Sequence, residues 1–165
     1  MILLQLSGIN GDSTIQGYTN WIGISSIQFN VARSVSNTVG SIDRDTSNPQ
    51  FGEIQVSKPT DIASTQIFAQ AMYGMAIGTT CTFNFLQTAG ANAPLQLYMQ
   101  LQLTNPIITS YSVSSSGDRP SESFTISFTQ IGMLYTQFQT GSAEVKADPK
   151  GYNLTTGEPT TPTAS

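Results

Sequence analysis

Between Leu95 and Leu103 the chain alternates strictly: Leu95, Leu97, Met99, Leu101 and Leu103 fall in one phase, and Gln96, Tyr98, Gln100 and Gln102 in the other. A period of two places successive side chains on opposite faces of a strand, and no helix satisfies it, so the segment reads as a half-buried antiparallel strand. Cys81, Phe83 and Phe85 alternate with Thr80, Thr82 and Asn84, and Phe124, Ile126 and Phe128 with Thr125, Ser127 and Thr129, which gives two more strands of the same kind. Residues 2–7, 21–32, 53–58, 107–113 and 133–138 read as further strands. In the segment 21–32, Ile22 and Ile24 share one phase and Ile27, Phe29 and Val31 the other, which predicts a bulge near Ser25 and Ser26. One helix interrupts the pattern, because Ile67, Phe68, Ala71, Met72 and Met75 recur at spacings of three and four. Asp61 or Ser64 is placed to cap its start and Gly74 or Gly78 to end it, and its apolar stripe is expected to pack as a lid on the strands. This many strands with a single helix predict a mainly β fold: an antiparallel β-barrel with one α-helix and a long extended loop.

That loop is residues 34–52, which show no helical period and exceed the length a compact domain leaves irregular without a functional reason. The end of the chain, residues 155–165, is rich in Thr and Pro without an apolar pattern and reads as a disordered tail. With 165 residues, the chain fits one domain, expected to occupy residues 1–154.

The charges exclude some functions. Six Lys and Arg against ten Asp and Glu give a net charge of −4, with no basic stripe for a phosphate backbone, so nucleic acid is not an expected partner. Only 10% of residues are charged, which leaves Ser, Thr, Gln and Asn to wet the surface and favours assembly over a free monomer. Cys81 is the single cysteine and reads as a buried small hydrophobe, so no disulfide framework is expected. The opening Met-Ile-Leu-Leu-Gln-Leu lacks the basic start and length of a signal peptide or membrane span, which predicts folding in the cytoplasm and no membrane insertion.

Histidine is absent, which removes the commonest general base, the Ser-His-Asp triad and the usual zinc ligand. No metal, cofactor or catalytic residue is therefore expected. Asp43 and Asp45 flank Arg44 and could form a hydrolytic carboxylate pair, but a triplet of alternating sign reads better as a solvated turn or contact patch. The run Gly8-Ile9-Asn10-Gly11-Asp12-Ser13 lacks the lysine and the strand–loop–helix context of a phosphate loop and reads as a turn. Trp21, Tyr98 and Tyr111 define an alternative, a small-molecule or carbohydrate binding module.

Four blocks in order resemble the haemolysin-coregulated proteins, the Hcp family of type VI secretion. They are the first strand with Gly8–Ser13, the block Ile54–Ser64 with Lys58, Pro59 and Asp61, the run Ser110–Ser114 leading to Glu122–Ile126, and the closing Gly151-Tyr152-Asn153-Leu154. The second and third are the most specific, and the resemblance covers about residues 2–154, with the tail as the main departure. It implies a non-enzymatic tube protein: a homo-hexameric ring that stacks on copies of itself inside a contractile sheath, with a spike protein and baseplate as further partners. It also implies secretion from the bacterial cytoplasm, with effectors carried in the lumen. By the family pattern the long loop reaches the neighbouring ring, which makes Val39, Ser41, Asp43, Arg44, Asp45, Asn48 and Pro49 the expected stacking residues, while Ser26, Gln28 and Asn30 are expected to face the lumen.

Overall fold

In the computed structural model, which describes residues 1–37, 44–74, 78–90, 94–138 and 144–162, the alternating segments pair as antiparallel strands. The first part of the chain supplies β1 (Ile2–Leu6), β2 (Ile22–Ile24), β3 (Ser26–Gln28), β4 (Val31–Ala32), β5 (Val35–Asn37), β6 (Arg44–Thr46), β7 (Gln50–Phe51) and β8 (Ile54–Pro59). After α1 (Ser64–Tyr73) come β9 (Thr80–Thr88), β10 (Leu95–Thr104), β11 (Ile107–Ser114) and β12 (Ser121–Ser127). The remainder forms β13 (Gln130–Gln137), β14 (Val145–Lys146), β15 (Lys150–Asn153) and β16 (Glu158–Thr160).

Two sheets face each other. The larger runs β16-β15-β13-β10-β9-β1-β2 with β14 also on β13, and the smaller runs β11-β12-β8-β3. Leu4 and Leu6 of β1, Phe83 of β9, and Leu101 and Leu103 of β10 meet Ile54 and Val56 of β8 and Phe124 and Ile126 of β12 in one dry core. Each such side chain, fully withdrawn from water, contributes about 1.5–3 kcal/mol. The fold is thus mainly β, as the sequence predicts, but among the described residues the sheets do not close into a barrel. They adjoin on one side, where the chain leaves β2 and enters β3, and Ser25 N donates to Ser57 O at 2.9 Å. On the other side β11 pairs only with β12 among the described residues, and α1 packs against it.

Four sequence expectations need correction. The phase change near Ser25 is a passage from one sheet to the other rather than a bulge within one strand, since β2 pairs with β1 and β3 with β8. A bulge does occur in β10, where the register jumps between Leu97 and Met99; Leu97 stands opposite Leu86 and Met99 opposite Phe85. The slip puts Leu95 and Leu97 on the face opposite Leu101 and Leu103, because one residue of offset inverts the side chains on one side of it relative to those on the other. The long loop holds paired strands, β5 with β6, and its β7 pairs back on β4 just before it, so with β4 it forms a hairpin arm. The tail is folded through Thr160, for β16 pairs with β15 and Pro162 is buried over Gly132, where any Cβ would strike the Pro162 ring.

The helix also differs from expectation. Gly74 ends it in the left-handed conformation, as glycine allows, but Met75 lies outside the described residues. Its apolar stripe is only partly packed: Ile67 is buried, whereas Phe68, Met72 and Tyr73 are 48%, 58% and 67% exposed.

Candidate interaction surfaces

The outward face of the small sheet is built by strand register. Ser26, Ser57, Ser123 and Ser112 stand side by side across all four strands, and the next row is Gln28, Gln55, Thr125 and Ser110. Every one of these side chains is exposed or half-buried. The hydroxyls pair laterally, Ser112 Oγ with Ser123 Oγ at 2.7 Å and Ser110 Oγ with Thr125 Oγ1 at 2.6 Å. The two rows hold no charge. Glu53 lies at the end of the face, where its Oε2 accepts from Thr109 Oγ1 at 2.9 Å.

The opposite face of the same strands carries charge in the dry interior. Lys58 of β8 and Glu122 of β12 are cross-strand partners, and both side chains are fully buried. The Lys58 ammonium donates to Glu122 Oε1 at 2.5 Å, to Asp61 Oδ1 at 2.7 Å and to Ser64 Oγ at 3.4 Å, so each of its three protons has an acceptor. Asp61 Oδ1 also accepts from Ala63 N at 2.9 Å, while Ser64 Oγ accepts from Asp61 N at 2.8 Å, which ties the cluster to the first turn of α1. Tyr111 of β11 donates its hydroxyl to Glu122 Oε2 at 2.7 Å. Burial, that hydrogen bond and the nearby Glu122 and Asp61 carboxylates hold the Tyr111 phenol above its ordinary range, so it remains a donor.

The sequence-predicted residues separate into groups. Ser26 and Gln28 share the uncharged face, and Asn30 continues their phase beyond β3, where Gly52 N donates to its carbonyl at 3.0 Å at the root of the arm. Val39, Ser41 and Asp43 lie outside the described residues; Arg44 and Asp45 belong to β6, whose only partner among the described residues is β5. Asn48 is exposed and Pro49 half-buried between β6 and β7. The three aromatics of the binding-module alternative fall into separate clusters. Trp21 meets Tyr18 at 5.1 Å, Tyr111 meets Phe68 at 5.5 Å, and Tyr98 lies between Phe85 and Tyr135 beside a cleft of about 620 Å³ that Trp21 and Tyr111 do not line. Cys81 is buried, and burial raises its thiol pKa. No described helix is long and apolar enough to cross a membrane.

Sequence reasoning missed Gln55, Ser57, Ser110, Ser112, Ser123 and Thr125 as members of one surface. Their signal was the polar phase of separate strands, which holds hydroxyls and amides where Lys and Glu are commoner. It also missed the buried cluster, whose signal was a charged residue in the apolar phase: Lys58 after Ile54 and Val56, and Glu122 before Phe124 and Ile126.

Residues 3–135 match the family model described as "Type VI secretion system effector, Hcp". No curated protein matches the chain. Among solved structures, one described as a type six secretion system protein superposes with a TM-score of 0.87 at 22% identity, covering 96% of this chain and 98% of that one. Hcp1 from Salmonella typhimurium gives 0.75 at 20% identity over 96% and 97% of the two chains. A type VI secretion system effector from Yersinia pestis gives 0.70 at 21% identity over 93% and 99%. At these identities the structures show a shared fold.

Proposed function

Because the chain belongs to the Hcp family of type VI secretion proteins, we propose that it is a structural, non-catalytic subunit of the secretion tube: six copies close into a ring and rings stack on one another. In this reading the tube assembles in the cytoplasm within a contractile sheath, on a baseplate and beneath a spike, and is exported with effectors in its bore. The observation that carries the reading is the uncharged face formed by β3, β8, β12 and β11. A wall that passes unrelated proteins must hold none of them tightly. Hydroxyls and amides offer hydrogen bonds that water exchanges readily, without a fixed field that would trap one sign of charge. The arm formed by β4 to β7 supplies the second surface that a stacked ring needs, since a ring and a stack require two different self-contacts. It carries the stacking residues Val39, Ser41, Asp43, Arg44, Asp45, Asn48 and Pro49, while Ser26, Gln28 and Asn30 belong to the bore.

Size-exclusion chromatography with light scattering, followed by negative-stain microscopy, tests the proposal. Rings of uniform size are expected, and a monomer at every concentration would overturn it. Release of the protein into the medium should depend on an intact sheath.

A further inference from the structure

We propose that Lys58, Asp61 and Glu122 are positioning residues that set the place of α1 on the small sheet and so aim its exposed apolar strip at the neighbouring copy in the ring. The inference rests on the ring reading for the identity of the neighbour, but the positioning itself is read from the monomer. α1 has one fully buried side chain, Ile67, with Ala71 partly packed on the core, too little for apolar packing to fix its register along the sheet. The charged cluster instead joins four elements at one point: β8 through Lys58, β12 through Glu122, β11 through the Tyr111 hydroxyl, and the start of α1 through Asp61 and Ser64.

Apolar contacts are tolerant of sliding, whereas an ammonium in a dry site must meet its carboxylates at hydrogen-bond distance or remain unpaired. The ring contact between Phe68 and Tyr111 carries the same constraint to the outer side of the helix. What the cluster holds in place is an exposed strip of Phe68, Met72 and Tyr73 on a helix packed against β11, with Val113 of that strand 52% exposed. Among the described residues β11 has no strand partner besides β12, and the helix packed against it leaves Phe68, Met72, Tyr73 and Val113 exposed, an apolar surface of the kind that a second copy covers.

The test removes the charges and keeps the shapes: Lys58→Met, Asp61→Asn and Glu122→Gln combined in the full chain. The triple variant is expected to unfold cooperatively and to exchange the amides of Ser64–Tyr73 about tenfold faster or more, while those of β8 and β12 keep their protection, and its rings should be lost. The single variant Asp61→Asn frees only the helix side and should show the same selective loss of protection even if the triple variant does not fold. Unchanged helix exchange with normal rings would overturn the proposal. So would an equal loss of protection in helix and strands, which would make the cluster a general stabiliser. If the parent forms no rings, the ring reading fails, and the exchange measurement still decides the positioning role.

Discussion

The two faces of β8 and β12 place their charges contrary to the usual arrangement of a soluble sheet. Outward, Gln55, Ser57, Ser123 and Thr125 meet solvent without a charge, while inward, one residue away in each strand, Lys58 and Glu122 hold an ion pair in the dry interior. Most domains place charge outside, where it is cheaply hydrated, and apolar groups inside. Here the inner charges fix a geometry, and the outer face avoids fixed charge. The contrast shows that position in the alternation, more than residue chemistry, assigns each side chain its task. A lysine in the apolar phase enters the core with its partners; a serine in the polar phase remains on the outer surface.

The largest effect should come from breaking the inner face by halves. Lys58→Met leaves two buried carboxylates without their cation and should cost about 3–5 kcal/mol in chemical denaturation. Its neighbour on the other face, Ser57→Ala, should change stability by less than about 0.5 kcal/mol, and comparable losses for the two would erase the contrast. Leu101→Ala, in the same core but away from the ions, should cost about 2–5 kcal/mol, which checks that the inner face as a whole is dry.

Tyr111→Phe sharpens the comparison through pH. The folded phenol has a raised pKa, so above about pH 10 the unfolded chain releases that proton while the folded one retains it, and folding stability falls as pH rises. Below that range the contribution is fully present and flat. The variant should lose about 1–3 kcal/mol at neutral pH, because Glu122 Oε2 loses its donor, and its stability should fall less steeply above pH 10 than that of the parent. Equal alkaline slopes in parent and variant would separate Tyr111 from the cluster.

The smallest effects on folding, and the most selective on assembly, belong to the outer surfaces. Gln28→Arg should leave the unfolding midpoint within about 0.5 kcal/mol of the parent while reducing co-purification of effector with intact rings. Reversing charge at Asp43, Arg44 and Asp45 together should leave rings and abolish stacking, read as tube length by microscopy. Rings that disappear in the second variant would move the arm to the contact within a ring.

Much of the fold was legible because alternation is local. Cys81 and Phe83 with their polar neighbours assign a strand and its buried side without knowledge of its partner, and Phe124 and Ile126 do the same. The start of α1 was legible in part. Asp61 and Ser64 do bond the first turn, although Ala63 stands at the cap position and no side chain bonds from there. Ser26 and Gln28 were legible as one face by phase alone. The rest of that face was not, because Ser112, Ser123 and Ser57 become neighbours only when β11, β12 and β8 pair in one particular register.

The sequence by itself determined that this chain is mainly β with one helix, and which phase of most strands is apolar, because those properties depend on spacing within a few residues. Only the tertiary structure decided that β10 slips at Tyr98, that β5 pairs with β6 and β4 with β7, and that the chain beyond Leu154 adds an edge strand. It alone brought Lys58 to Glu122, 64 residues away. Pairing register is a long-range property: it is set when distant segments exclude water together, and a slip of one residue, invisible in either segment alone, exchanges the buried and exposed faces of the strand that slips.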